Sequence, residues 1–190
     1  MLISNLPSSH QAAFSALNCE KMLPSIQKFD EDEVTSAVSS FKKSIAAIYL
    51  FSLSSSIELV EFNALKEEVE SYWPDLDESD NDFASYAFDA FVAMTQALNF
   101  VLSGDSVHVA NSAVAVMDTV DMYIQETSEF EPSASELEDF IQASPFMKRE
   151  VERQATLLNE LTKTTVLDAR VIAHLKRLNE QEMLVDFTAL

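Results

Sequence analysis

Asp82-Phe83-Ala84-Ser85-Tyr86-Ala87-Phe88-Asp89-Ala90-Phe91-Val92-Ala93-Met94-Thr95-Gln96-Ala97-Leu98-Asn99-Phe100-Val101-Leu102-Ser103-Gly104-Asp105-Ser106 is the stretch that decides the fold. Phe83, Ala87, Ala90, Met94, Leu98 and Val101 recur every three or four residues, the signature of one helix face. Phe88, Phe91 and Val92 add a second apolar stripe. A helix that is apolar around most of its circumference belongs at the centre of a bundle. Gly104 is the only glycine in the chain. It follows where a helix C-terminus calls for a left-handed residue, and Asp105 or Ser106 can cap a new helix at once. The segment therefore reads as two antiparallel helices joined by a tight reversal, the second running to about Glu129.

The flanking sequence continues in helices. Pro7-Ser8-Ser9 opens one with Phe14, Leu17 and Met22 on its apolar side, and Pro24 ends or kinks it. Asp30-Glu31-Asp32-Glu33 supplies negative charge to the N-terminus of the next, where the helix dipole favours it. That helix buries Val34, Val38, Phe41, Ile45, Ile48 and Leu53. A third runs from about Ile57 to Tyr72 and is closed by Pro74. Pro132-Ser133 starts a short helix at about 134–142. Ser144-Pro145 is an N-cap followed by proline at the first helical position, and the last helix runs to about residue 180.

A helix of that length would span about 52 Å, in a domain whose expected radius of gyration is about 16 Å. It must project or bend, and Thr162-Lys163-Thr164-Thr165 is its weakest point, since threonines crowd χ1 and compete for backbone hydrogen bonds. The predicted fold is all-α, a single domain over residues 1–190 built as a bundle of six to seven helices. An apolar content of 47% with 13 phenylalanines can fill such a core, and the turn glycines of a β protein are missing.

Charge is distributed unevenly. Residues 67–147 contain 18 aspartates and glutamates and no lysine or arginine, so nearly all of the net −20 sits in the middle of the chain. Such a surface repels nucleic acid and anionic membranes, and points to a basic protein as partner, to cations, or to nothing beyond solubility in a salty habitat. The last helix begins with Lys148, Arg149 and Arg153, at the end where the dipole disfavours cations. The acidic segment is the expected partner of all three. The N-terminal MLISNLPSSHQ lacks the basic region of a signal peptide, and no window is long and apolar enough to span a membrane. With Cys19 the sole cysteine, no internal disulfide can form. The expected location is the cytoplasm.

Motifs for chemistry are absent. In the acidic loop Asp75–Asp82, EF-hand registers from Asp75 or Asp77 put Asp80 or Asp82 where glycine is required and Tyr86 or Phe88 where glutamate is required. The loop reads as a solvated cap for the helix that follows. A di-metal carboxylate bundle needs Glu-x-x-His twice, and the closest approach is Asp105-x-x-His108. One glycine cannot build a phosphate loop or a nucleophile elbow. Cys19 reads as a small core residue. No catalytic residue, metal or cofactor is therefore assigned. What stands out is carboxylates inside apolar runs: Glu20 beside Cys19, Asp89, and Asp118 and Asp121 within Val114–Met122. Each must reach water or find donors, because an unpaired buried charge costs several kcal/mol.

Asn18-Cys19-Glu20-Lys21-Met22-Leu23-Pro24 resembles the Cys-Glu-Arg-Met-x-Pro segment of the YjaG-like proteins. The run Tyr86–Ala93, the following Leu102-Ser103-Gly104-Asp105, and Ser144-Pro145 with its charged helix are similar as well. The resemblance spans residues 6 to 180 and implies an all-helical bacterial domain without an assigned function. It also implies that Glu20, Pro24, Asp89 and Gly104 occupy family positions. Lys21 stands where that segment has arginine, which removes the fork of a bidentate ion pair.

The expected function is a non-enzymatic, acidic binding or regulatory module. One alternative is an inhibitor or nucleic-acid mimic that blocks a basic protein. Another is an enzyme using paired carboxylates, Glu20 and Asp89, in an interhelical pocket. Oligomeric state is not legible from the sequence.

Overall fold

The computed structural model describes residues 3–33, 35–54, 59–128, 133 and 135–190. Among the described residues every regular element is helical. A 3₁₀ turn at Ile3–Asn5 precedes α1 (Ser8–Glu33), α2 (Ala37–Ser54), α3 (Leu59–Glu70), α4 (Ala84–Ser103), α5 (Ser106–Thr127), α6 (Leu137–Ala143), α7 (Pro145–Lys163) and α8 (Ala169–Asn179). Buried apolar side chains form one cluster reaching from Leu6 to Val185. Among the described residues there are eight α-helices rather than six to seven, because the last one breaks in two.

α1 departs most from its sequence reading. Ten consecutive residues, His10 to Cys19, are buried, so this helix is enclosed on all sides rather than along one stripe. It packs against α2, α4, α5, α7 and α8. Ala12, Ala13, Ser15 and Ala16 let those neighbours approach closely. Pro24 neither ends nor breaks the helix, which continues to Glu33. The residues around it, Met22, Ser25, Ile26 and Phe29, are buried. Their packing offsets a proline cost of about 3 kcal/mol.

The acidic run Asp30–Glu33 consequently closes α1 instead of opening α2. Its charge still serves α2 from across the turn. Thr35 Oγ1 donates to Asp30, and the Asp30 carboxylate accepts from Val38 N at 3.5 Å in the first turn of α2. Val34 lies outside the described residues.

α4 is the helix that the sequence marks as central. Twelve of its 20 residues are buried, including Phe91, Met94 and Leu98. Phe91 meets Phe29 of α1 and Phe41 of α2 edge-on, with centroids 6.4 and 6.2 Å apart. Gly104 has φ of 73° and donates its N–H to Phe100 O. Asp105 then accepts from Val107 N at 3.0 Å, which starts α5. The acids of the 75–82 loop do not cap α4. Asn81 does that work: its Oδ1 accepts from Phe83 N at 2.8 Å, and its Nδ2 donates to Phe29 O.

At the C-terminal end, the chain leaves the helix at Thr164. Thr162 and Thr164 hydroxyls bond back to Leu158 O and Glu160 O, the competition that weakens threonine-rich turns. His10 Nε2 donates to Thr164 O at 3.0 Å, which fastens the break to α1. Asp168 restarts the helix by accepting from Arg170 N and Val171 N, both at 2.9 Å. Other boundaries shift by a few residues. α3 covers Leu59–Glu70, and α6 begins at Leu137. Ile57, Glu129 and Pro132, the expected ends of helices, lie outside the described residues.

Candidate functional site

Three polar clusters are built into this frame. In the first, Glu20 projects from α1 toward α2 and α8. Tyr49 OH donates to one carboxylate oxygen at 2.8 Å and Lys176 Nζ to the other at 2.7 Å. The Lys176 ammonium also lies 4.3 Å from the centre of the Tyr49 ring, a cation–π contact. Burial, reinforced by the Glu20 charge, pushes the Tyr49 hydroxyl up, so it remains a donor. Glu20 is thus a satisfied link between three helices.

The second cluster was not read from the sequence. Arg153 and Glu150 of α7 form a buried bidentate pair, with side chains only 8% and 2% exposed. Arg153 Nε and Nη2 donate to the two carboxylate oxygens at 2.7 and 2.6 Å. Nη1 donates to Asn179 Oδ1 and Nη2 also to Asn18 Oδ1. Asn179 Nδ2 in turn reaches Leu17 O, and Gln154 Nε2 donates to Glu150 and to Ala113 O. Three helices, α1, α7 and α8, are joined through one guanidinium, which only arginine can do, and Gln154 extends the network to α5.

Lys21 borders this cluster. Its ammonium donates to the backbone carbonyls of Asn179, at 2.8 Å, and of Glu182. Burial, then repulsion by Arg153, lowers its pKa to about 8. Arg149 holds Met183 O and Leu184 O and pairs with Glu182 at 3.2 Å. These cations therefore fasten the segment after α8. A cleft of about 200 Å³ lies among them. Two of its cations are matched by carboxylates, Arg153 by Glu150 and Arg149 by Glu182, and Lys21 is held by backbone carbonyls.

This corrects the expectation that the acidic middle segment would hold Arg149 and Arg153. Among the described residues, ion pairs to acids of the 67–147 segment are Lys43–Glu68 at 2.9 Å and Lys66–Glu70 at 3.7 Å. Among the described residues the other acids of that segment form no ion pair with a lysine or arginine.

The third cluster gathers four of those unmatched acids, Asp89, Asp118, Asp121 and Glu126. Asp89 of α4 accepts from Thr119 Oγ1 of α5 at 3.0 Å. Burial pushes its carboxyl up to about 6, opposed by the Thr119 hydrogen bond and helped by the Asp118 charge. Asp118 is raised too, by burial and then by Asp121. Tyr86 OH donates to Glu126 at 2.6 Å, and Gln125 to Asp121 at 2.7 Å. Asp118, Asp121, Met122, Gln125 and Glu126 line a groove of about 320 Å³ along the outer face of α5.

The predicted site residues are therefore distributed, not convergent. Asp89, Asp118 and Asp121 share the α4–α5 face, whereas Glu20 and Lys21 belong to separate networks around α8. Glu20 and Asp89 share no partner and line none of these pockets. Cys19 is buried, and burial raises its thiol pKa, so it stays protonated. Among the described residues no group of three or more His, Cys, Asp or Glu is placed to hold a metal ion.

Residues 2–184 match the family described as "Protein of unknown function (DUF416)". The chain belongs to the DUF416 family. A crystal structure of a DUF416 family protein from Shewanella baltica OS155 has the same fold, with a TM-score of 0.83 at 20% identity. The alignment covers 93% of this chain and 90% of that one. No curated protein matches the sequence. The resemblance to an uncharacterised all-helical family thus holds at the level of DUF416 itself. Among the described residues, no helix is long and apolar enough to cross a membrane.

In this DUF416 protein the arginine fork missing at position 21 is present on another helix, at Arg153. The sequence signals for that cluster were faint: an acid three residues before an arginine, and an asparagine inside the apolar run 12–19. Asn179 gave no signal, since its role depends on where the end of α8 meets α1.

Proposed function

We propose that this protein is a non-enzymatic binding module of the bacterial cytoplasm that takes a lysine- or arginine-rich segment of a partner on the outer face of α5. One observation carries the reading: Asp118, Asp121 and Glu126 surround a groove and no cation of the described residues pairs with them. Like charges three residues apart on a rigid helix repel, and burial adds to the cost at Asp118. A cation from outside relieves that repulsion. Met122 in the groove gives a lysine stem an apolar surface. An inhibitor or nucleic-acid mimic would be a special case of the same reading, since it too engages a basic protein. An enzyme with paired carboxylates has less support, because Glu20 and Asp89 are engaged separately.

The test is titration of a fluorescent Lys/Arg-rich peptide against the protein and its D118N/D121N variant, in about 0.05 and 0.5 M sodium chloride. Saturable binding that falls about tenfold or more in the variant, and again in high salt, supports the reading. No binding at low salt, or equal binding by the variant, overturns it.

A further inference from the structure

The cleft of about 200 Å³ between α1, α7 and α8 holds two uncommitted charges of opposite sign. Its charged lining residues are three cations, Lys21, Arg149 and Arg153, and three carboxylates, Glu150, Glu152 and Glu182. Arg153 pairs with Glu150, and Arg149 with Glu182. One group of each sign is left over, Lys21 and Glu152. Among the described residues neither forms an ion pair with the other members of the cleft.

The two stand in different surroundings. An ammonium has three N–H donors, and Lys21 gives two of them to the carbonyls of Asn179 and Glu182. Those carbonyls satisfy hydrogen bonds but supply no counter-charge, while burial and then the Arg153 guanidinium oppose the ammonium. Its third donor is free for an acceptor in the cleft. Glu152 is exposed on α7. It follows Arg149 by three residues and precedes Thr156 by four, so the three form one wall of the cleft. Leu157, Leu178 and Leu184 line the same cleft, the first and last of them buried, and give it an apolar side.

We propose that this cleft binds a small zwitterion, an aliphatic α-amino acid, with its carboxylate on Lys21, its ammonium on Glu152 and its side chain against the three leucines. Charge balance selects this class. The six charged residues sum to zero, so a simple anion or cation would leave either Glu152 or Lys21 unmatched. A zwitterion matches both. It carries no net charge, so the −20 of the protein neither attracts nor repels it. Size restricts the occupant further, since the cleft is smaller than the roughly 300–1,000 Å³ of sites that take drug-sized ligands. Lys21 and Arg149 already hold the segment after α8 that closes one side, so little ordering is left for the ligand to impose. The cleft shares no lining residue with the α5 groove. Binding of an amino acid and binding of a basic segment therefore stand or fall separately.

The test is calorimetric titration of the full chain with L-leucine, with isocaproate, which lacks the ammonium, and with isoamylamine, which lacks the carboxylate. Leucine should bind saturably, and each analogue about tenfold or more less tightly. Glu152→Gln alters an exposed side chain and should leave the circular dichroism spectrum unchanged. It should weaken leucine about threefold or more and leave isocaproate within about twofold, because only leucine brings an ammonium. In NMR, the Lys21 side chain should titrate about half a pH unit or more higher with saturating leucine, since a carboxylate beside it favours the charged form. No saturable binding of leucine up to about 20 mM, equal binding of either analogue, leucine binding that Glu152→Gln leaves unchanged, or a Lys21 titration that leucine does not move would each overturn the proposal.

Discussion

Asp89 carries a charge that its surroundings resist. Its folded pKa, about 6, lies above its ordinary 3.8. Between those values the folded protein holds a proton that the unfolded chain releases, so this group's contribution to stability falls as pH rises from about 4 to 6. Asp89→Asn keeps an acceptor for Thr119 and removes the charge. Unfolding in urea should find it more stable than wild type by about 1–2 kcal/mol at pH 7, a figure already discounted for partial exposure, and nearly equal at pH 4. Asp89→Ala leaves the buried Thr119 hydroxyl without its acceptor, and should fall below Asp89→Asn by more than about 1 kcal/mol at both pH values. An asparagine variant less stable than wild type at pH 7 would show that the carboxylate is favourable where it stands. The sequence exposed Asp89 and Glu20 as misfits in apolar runs. It could not separate them, because Glu20 is neutralised by Lys176, 156 residues away, whereas Asp89 finds only a hydroxyl.

Helix α4 illustrates what local pattern can specify. Its two apolar stripes, the Gly104 stop and the Asp105 cap are all local signals, and all three act as read. Leu98 is fully buried, so Leu98→Ala should cost about 2–5 kcal/mol in urea unfolding. Val114→Ala, at a position 51% exposed, should change stability by less than about 0.5 kcal/mol. A Leu98→Ala loss as small as that would mean the site collapses around the smaller side chain. α1 illustrates what local pattern hides. A helix enclosed by small residues has no polar face, so periodicity finds only its large members, Phe14, Leu17 and Met22. Pro24 and the acidic run looked like boundaries because their local preferences oppose helix. The packing of Met22, Ile26 and Phe29 overrides them.

At the scale of the molecule, charge and core oppose each other. The acids of the middle segment pair with two lysines among the described residues, while Arg149, Arg153 and Lys21 are committed to the C-terminal elements and Lys176 to Glu20 of α1. Exposed pairs contribute about 0–1 kcal/mol each, so self-repulsion should dominate. Raising sodium chloride from about 0.02 to 0.5 M shortens the Debye length several-fold, and the melting temperature should rise. A fall would mean that attractive pairing prevails. By itself the sequence determined that the chain folds as helices, that α4 lies at the centre, where the α4–α5 reversal falls, and that the negative charge is concentrated in the middle third. Those properties follow from spacing, caps and composition, which act between near neighbours. Tertiary structure alone decided that α1 is enclosed, that Arg153 joins α1, α7 and α8, that the basic residues hold the C-terminal segment rather than the acidic one, and that Lys21 and Glu152 line the same cleft. Each of these depends on contacts between helices far apart in sequence, where the burial of one residue is set by another with which it shares no periodicity.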